Sequence, residues 1–279
     1  MNDVKLYLGD CLELMKTLTD GEIDLTVTSP PYDNLRDYGG HSWDFEGIAR
    51  ELYRVTKQGG VVVWVVADAT INGSETGTSF KQALFFKECG FNLHDTMIYE
   101  KCNFANPSSR RYHQIFEYMF VLSKGNPVVF NPIRDKKNAY AGATNWGVNS
   151  HRQRSGEQEI HTKKVVSDFG MRTNVWKYNT AYGFAGDTSA YSHPAVFPES
   201  LARDHILSWS NEGDTALDPF MGSGTTGKMA VLSGRKFIGF EIHEPYFEIA
   251  KRRINHARAD MGLEDKRLSS TVTQVRMAF

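Results

Sequence analysis

The feature that most limits the fold is an alternation of strand-like and helix-like segments near both ends of the chain. Residues 61–66 form an unbroken apolar run dominated by valine, which is typical of a parallel strand buried on both faces. Further strands are predicted at residues 4–8, 23–28, 96–100, 115–122, 215–218 and 236–240. Amphipathic spacing predicts helices at residues 11–18, 45–55, 79–89, 198–209, 226–233 and 245–259. Together they predict an α/β fold with a mostly parallel, twisted, doubly wound sheet.

The middle of the chain lacks this regularity. Between residues 124 and 192, Asn, Gly, Ser and Arg dominate and the periodicity is poor, which favours a separate lobe or a long binding segment. Residues 101–177 carry 13 Lys and Arg against 5 Asp and Glu, whereas residues 1–100 carry 8 against 16. A basic region interspersed with aromatic residues suits a polyanion such as nucleic acid. A solvated basic surface is the other interpretation of the same charge.

Composition also narrows the class of protein. The first residues lack the basic start and apolar stretch of a signal peptide, and no apolar run is long enough to span a bilayer. Cys11, Cys89 and Cys102 are scattered, so we expect buried structural thiols in a reducing compartment and no disulfides. The nine histidines show no ligand spacing, so no metal site is expected. We therefore predict a cytoplasmic protein without membrane association.

A glycine-containing loop follows the predicted strand at 215–218. Gly222 and Gly224 allow a tight turn and a close approach of the backbone to a ligand. Glu241, at the end of the next strand, is placed to accept hydrogen bonds from ribose hydroxyls. The loop lacks both the Gly-Lys-Ser/Thr ending of a phosphate-binding loop and a complete G-x-G-x-x-G pattern. A nucleoside without phosphates remains, and S-adenosyl-L-methionine fits that description. The cofactor-binding residues predicted here are Asp218, Phe220, Gly222, Ser223, Gly224, Thr225 and Glu241.

A second motif, Ser29-Pro30-Pro31-Tyr32, stands where the predicted strand at 23–28 ends. Two consecutive prolines remove two N–H donors and leave carbonyl groups free to accept hydrogen bonds. The Ser29 hydroxyl and the Pro30 carbonyl could accept the two protons of a base's amino group, while Tyr32 offers a ring on which an extruded base can stack. A proline-rich turn whose tyrosine packs on the core is the structural alternative. These four residues are the predicted catalytic set.

The two motifs in this order resemble those of the amino-methyltransferases of bacterial and phage restriction–modification systems, in their permuted β group. The resemblance implies a Rossmann-like fold of S-adenosylmethionine-dependent methyltransferases with a circularly permuted order of motifs. It also implies that Asp10 contacts the cofactor adenine and that residues 193–201 close over its methionine end. Because the order is permuted, the strands ending at Leu217 and Phe240 become the first and second, and the chain's own start supplies the third and fourth.

The same resemblance divides the chain into a catalytic half at residues 1–123, an inserted target-recognition region at 124–192 and a cofactor-binding half at 193–279. Double-stranded DNA is the implied substrate, and a cognate restriction endonuclease is a candidate partner. Within the basic region, the residues predicted to contact DNA are Arg110, Arg111, Arg152, Arg154, Lys163 and Lys164.

Ser29 bears on which base is methylated. The family's cytosine-N4 enzymes more often carry Ser before Pro-Pro-Tyr and its adenine-N6 enzymes Asp, so the resemblance favours N4 of cytosine, with N6 of adenine as the alternative. Methylation of cytosine C5 is not expected, because it requires a cysteine nucleophile, which the family of C5 enzymes places after a proline, and none of the three cysteines follows one. Methylation of RNA, and a DNA-binding module that has lost catalysis, are the remaining alternatives.

Overall fold

The computed structural model describes residues 3–31, 43–104, 109–144, 150–152, 155–156, 158–160, 165–179 and 198–262. Two units are present: a larger one comprising Met1–Asn131 and Asn174–Phe279, and a smaller one comprising Pro132–Thr173. Within the described ranges, no helix has the length and apolar character to cross a membrane.

The helices are α1 (Cys11–Met15), α2 (Phe45–Val55), α3 (Thr78–Glu88), α4 (Glu199–Trp209), α5 (Thr225–Leu232) and α6 (Glu244–Asp260). The strands are β1 (Val4–Leu8), β2 (Ile23–Thr28), β3 (Thr56–Val66), β4 (Thr70–Ile71), β5 (Ser74–Glu75), β6 (Asn92–Lys101), β7 (Phe116–Ser123), β8 (Lys136–Lys137), β9 (Ser150–Arg152), β10 (Gln158–Ile160), β11 (Phe169–Gly170), β12 (Val175–Tyr178), β13 (Thr215–Asp218) and β14 (Lys236–Glu241).

One sheet of eight strands organises the larger unit, in the order β1-β14-β13-β2-β3-β7-β6-β12. The five strands from β1 to β3 run parallel to one another, β7 is antiparallel to both of its neighbours, and β12 runs parallel to β6. This confirms the predicted mostly parallel α/β sheet. The permuted order is also confirmed, because β13 and β14 lie between the third and fourth strands that the start of the chain supplies.

The apolar segments form the core as their periodicity predicts. In α2, Ile48, Ala49, Leu52 and Val55 are buried on one helix face, and Asp44 caps its start by accepting from Gly47 N at 3.0 Å. Helix α1 is shorter than predicted because the chain tightens into three-residue turns after Met15: Thr17 N bonds Leu14 O at 3.1 Å.

Strand β12 corrects the sequence-based prediction, which left residues 124–192 outside the sheet. Trp176 in β12 is buried and its ring stacks on His205, with ring centroids 4.6 Å apart. Residues before the smaller unit also pack on the larger one, since Lys124 Nζ donates to Thr56 O at 2.9 Å. A four-residue strand has too few alternations to stand out in a sequence, so tertiary pairing with β6 decides it.

The smaller unit contains two antiparallel strand pairs. Strand β8 pairs with β11, and β9 pairs with β10. Arg172 joins Asp135 in an ion pair across the first pair, with Nε to Oδ2 at 3.0 Å. The unit is shorter at both ends than the inserted region predicted from the sequence.

Candidate active site

The two sequence motifs meet at one edge of the sheet. Strands β13 and β2 are parallel neighbours, so their carboxyl ends lie at the same edge. Thr28, the last residue of β2, donates its hydroxyl hydrogen to Asp218 Oδ1 at 2.6 Å. Thr226 at the start of α5 donates in turn to Val27 O at 3.1 Å. Two segments nearly 200 residues apart in sequence are therefore joined directly by hydrogen bonds.

Ser29, Pro30 and Pro31 leave this edge immediately after Thr28. Pro30 is buried, and Ser29 and Pro31 are partly buried. Tyr32, the fourth residue of the predicted catalytic set, lies outside the described residues.

The described chain resumes at Trp43, whose ring meets that of Phe220 edge to face at 5.3 Å between centroids. Phe220 also contacts Trp64 of β3 at 6.2 Å. The loop after β13 is therefore held on one side by an aromatic cluster of the core.

Backbone geometry requires glycine in the loop between β13 and α5. Gly222 and Gly224 both have positive φ, of 52° and 81°. A Cβ on Gly224 would also stand 2.9 Å from Ala250 Cα, so helix α6 leaves no room for a side chain. Met221 N donates to Phe240 O at 2.8 Å, which fastens the loop to the end of β14.

Asp218 is a buried carboxylate at the centre of this edge, with 2% of its surface exposed. Burial raises the pKa of the Asp218 carboxyl to about 6, although the hydrogen bonds from the Thr28 hydroxyl and the Phe220 N–H oppose the rise. Oδ1 also accepts from Phe220 N at 3.1 Å. The side chain thus orients the loop backbone and the end of β2 together.

Glu241 ends β14 beside the glycine loop and is also buried. Its Oε2 accepts from Gly222 N at 2.8 Å, and its Oε1 accepts from His243 N at 2.8 Å. Burial raises the pKa of the carboxyl, against these bonds. Each carboxylate oxygen has a second lone pair that can accept from a ligand hydroxyl.

Asp10 lies one strand further along the same edge. Strand β1 is parallel to β14 with Leu8 opposite Glu241, and Gly9 N donates to Glu241 O at 2.8 Å. The Asp10 carboxylate caps α1 by accepting from Leu12 N at 2.9 Å. The structure therefore brings together the predicted residues of β1, β2, β13 and β14.

An ionic brace behind the loop escaped the sequence-based prediction. Arg253 of α6 donates to Ser223 O at 2.6 Å and reaches Thr225 Oγ1 at 3.4 Å. Its other end meets Glu199 Oε1 at 2.8 Å, and Lys228 Nζ meets the same oxygen at 2.8 Å.

The sequence does carry a signal for this brace, which is a charged residue on the apolar face of a helix. Ala250, Ile254 and Ala257 are buried on one face of α6, and Arg253 stands among them with 4% of its surface exposed. Glu199 is the first residue of α4, so the brace ties the loop to the end of the predicted methionine-closing segment, of which residues 193–197 lie outside the described ranges.

Of the six predicted DNA-contacting residues, the structure describes the side chains of Arg110 and Arg111. Arg111 donates to Gly73 O at 2.6 Å and approaches Glu75 at 3.7 Å, while Arg110 is exposed. Arg152 belongs to β9, of which the backbone alone is described. Arg154, Lys163 and Lys164 lie outside the described residues.

The thiols differ from one another. Cys11 is buried, and burial raises the pKa of its thiol. Cys102 is exposed, so the prediction of burial is wrong for this residue, which follows the last residue of β6. Among the residues that the structure describes, no group of three or more His, Cys, Asp or Glu side chains could hold a metal ion.

The fold is the Rossmann-like fold of S-adenosylmethionine-dependent methyltransferases. The solved structure of the PvuII DNA methyltransferase, described as cytosine-N4-specific, matches it with a TM-score of 0.66 at 21% identity. The match covers 90% of this chain and 86% of that one.

Residues 23–252 match the DNA methylase family of N6 and N4 methyltransferases. The orphan methyltransferase M.BamHII of Bacillus amyloliquefaciens is 55% identical over 91% of this chain and 92% of its own length. The DNA adenine methyltransferase YhdJ of Escherichia coli strain K12 is 27% identical over 92% and 84%. The chain belongs to this family and is a DNA amino-methyltransferase of restriction–modification type. S-adenosyl-L-methionine is the family's cofactor.

Proposed function

We propose that this chain transfers a methyl group from S-adenosyl-L-methionine to N4 of a cytosine that it flips out of duplex DNA. The reaction class follows from the family. Ser29 and Pro30 are the residues that favour N4 of cytosine as the target atom. Double-stranded DNA is the substrate, and the smaller unit is the centre of target recognition.

The observation that carries the proposal is the 2.6 Å hydrogen bond from Thr28 to Asp218. Ser29 and Pro30 directly follow Thr28, and the glycine loop directly follows Asp218. Groups suited to hold an amino nitrogen therefore stand beside a loop suited to hold a methyl donor. Such positioning supplies much of the acceleration in a direct displacement.

Ser29 and Pro30 act on the amino group. The lone pair of cytosine N4 is delocalised into the ring and is a poor nucleophile. If the Ser29 hydroxyl oxygen and the Pro30 carbonyl each accept one N–H, the lone pair is turned out of the ring plane toward the donor. Tyr32 stacks on the extruded base and keeps it in this orientation.

The residues at the edge of the sheet fit a nucleoside with a charged amino-acid tail. Glu241 offers buried carboxylate oxygens for the ribose hydroxyls, and Ile242 beside it, 43% exposed, offers an apolar surface for adenine. Asp10 accepts from the adenine side, while Gly222 and Gly224 let the backbone approach closely. When bound, the cofactor supplies a methyl group on a positively charged sulfur, which makes that carbon electrophilic.

A second candidate target is N6 of adenine, because the relative YhdJ is a DNA adenine methyltransferase. The same two acceptors would hold an adenine amino group equally well. Ser29 in place of the Asp more frequent in adenine enzymes is what favours cytosine.

We propose that this chain acts without a cognate endonuclease. M.BamHII, 55% identical to this chain, is named an orphan methyltransferase, and we infer that this chain also acts alone.

The proposal is tested by expressing the chain in a host without DNA methylation and sequencing the genome with modification-sensitive reads. We expect N4-methylcytosine at one short recurring site, and a much smaller methylated fraction of that site in cells that express Ser29→Ala. N6-methyladenine at a recurring site would replace cytosine by adenine as the target. If no modification appears and S-adenosylhomocysteine causes no thermal shift of the pure protein, the chain is a DNA-binding module without catalysis.

A further inference from the structure

The connection between β6 and β7 lies at the same edge of the sheet as Ser29. Strand β7 runs antiparallel to β3, with Val66 opposite Tyr118, so the residues before Phe116 lie beyond the carboxyl end of β3. That end is level with Ser29, because β2 is the parallel neighbour of β3. At about 4.8 Å between adjacent strands, β7 stands roughly 10 Å from β2.

Tyr112 in this connection is fully exposed, at 101% of its reference surface. The residues on either side of it are anchored. Arg111 donates to Gly73 O at 2.6 Å in the turn between β4 and β5, and the His113 ring lies 3.9 Å from that of Phe104. A large aromatic ring is therefore presented to solvent between two residues whose side chains contact other parts of the chain.

An exposed ring in this place has a clear use in a base-flipping enzyme. Extruding the target base breaks its stacking and leaves neighbouring base faces uncovered, at a cost of a few kcal/mol. Stacking of an aromatic ring on a base contributes about 1–3 kcal/mol of binding free energy and is possible with any base. Arg110 adds positive charge beside the ring, which suits the flanking phosphates, whereas the guanidinium of Arg111 faces Glu75 at 3.7 Å.

We propose that Tyr112 stacks on a base of the duplex that is uncovered when the target base is extruded. The ring thereby stabilises the opened DNA and lowers the barrier to flipping. This inference rests on the proposed base-flipping function and adds a DNA-contacting residue outside the two motifs. Tyr112 contacts a base other than the target, whereas Ser29, Pro30 and Tyr32 contact the target.

The test compares Tyr112→Ala and Tyr112→Phe with the unaltered enzyme on short duplexes that contain the methylated site. We expect the alanine variant to lose about tenfold in kcat/KM for DNA, the lower part of the stacking range. The phenylalanine variant should keep at least half of the original value, because stacking needs the ring and not the hydroxyl group. The dissociation constant for S-adenosylhomocysteine should be unchanged in both variants.

A second duplex, with a mismatch at the target base, sharpens the test. Its base is already partly unstacked, so the alanine variant should recover most of its kcat/KM on this substrate. Equal losses on the paired and mismatched duplexes, or a phenylalanine variant as slow as the alanine variant, would overturn the role of Tyr112. Failure of the unaltered enzyme to methylate any DNA would instead overturn the proposed function.

Discussion

The loop at residues 218–226 and the connection at residues 102–115 share one edge of the sheet but are built in opposite ways. In the first, Asp218, Ser223 and Thr225 are each less than 5% exposed, and backbone groups are bonded to neighbouring strands. In the second, Arg110 and Tyr112 project into solvent. A small cofactor needs a rigid site of fixed shape, whereas a long polyanion is contacted by groups that reach outward. The loop at 218–226 is therefore ordered before a ligand binds, whereas the exposed side chains at 110 and 112 would gain contacts only when a partner arrives.

The charges follow the same division. Two carboxylates, Asp218 and Glu241, are buried at the proposed cofactor site, and burial raises the pKa of each. Exposed cations on the other side remain accessible to salt, which screens their interactions.

The largest expected effect is at Ser29, which is proposed to hold the amino group of the substrate base. Ser29→Ala should lower kcat by about 10²–10³-fold, since it removes one of the two acceptors for the amino group. The dissociation constant for S-adenosylhomocysteine should stay within about twofold, because Ser29 is proposed to contact the base and not the cofactor. Methyl incorporation and calorimetric titration measure the two quantities, with Ser233→Ala at the end of α5 as a serine control. A variant with full turnover would end the proposed mechanism.

A large loss of stability is expected from the brace behind the loop. Arg253→Ala leaves Glu199 with Lys228 alone and removes the donor to Ser223 O, so the free energy of unfolding should fall by about 3 kcal/mol. Arg253→Lys should recover part of it. Arg252→Ala, an exposed neighbour on α6, is the matched control in denaturant titrations. Equal free energies of unfolding for the variants at 252 and 253 would show that the brace does not stabilise the fold.

The buried carboxyl of Asp218 predicts a pH dependence of stability. Its pKa in the folded state is about 6, against 3.8 for an ordinary Asp. Between these values the folded protein holds a proton that the unfolded chain has lost, so this group's contribution to stability falls as pH rises from about 4 to 6. The full loss is about 3 kcal/mol. Asp218→Asn should therefore show a flatter pH dependence of unfolding than the original protein; parallel curves would contradict the shifted pKa.

A somewhat smaller effect is expected at Glu241. Glu241→Ala should weaken binding of S-adenosylhomocysteine by about 10- to 100-fold, the range for losing hydrogen bonds to a charged group. Glu241→Gln keeps one oxygen acceptor and should lose less. Isothermal titration gives both constants, and an unchanged value for the alanine variant would remove Glu241 from the cofactor site.

The smallest effect belongs to the basic region predicted from the sequence. Neutralising Lys163 and Lys164 together should flatten the salt dependence of DNA binding, changing the slope of log K against log salt by roughly 2. Cofactor affinity should not change. DNA binding is measured over a series of salt concentrations. An unaltered slope would show that neither lysine contacts DNA phosphates.

Much of the architecture can be predicted from local sequence patterns. The valine run at 61–66, the apolar stripe of α2 and the two glycines of the loop each predict their own structure, because burial on two faces, helical periodicity and positive φ restrict residue type. Residues at the ends of predicted strands were also correctly expected to meet, since parallel strands end at a common edge.

Other features depend on contacts between distant segments. Strand β12 is too short to show a period, and it exists because β6 offers a free edge. The bond from Thr28 to Asp218 and the brace from Arg253 to Glu199 join residues 190 and 54 positions apart. No local pattern encodes such a pairing, because it is the fold that brings the two side chains within reach. The order of residues thus decides the helices, the longer strands and the glycine-containing turn, whereas three-dimensional packing decides the short strand β12 and which polar groups hold these elements in place.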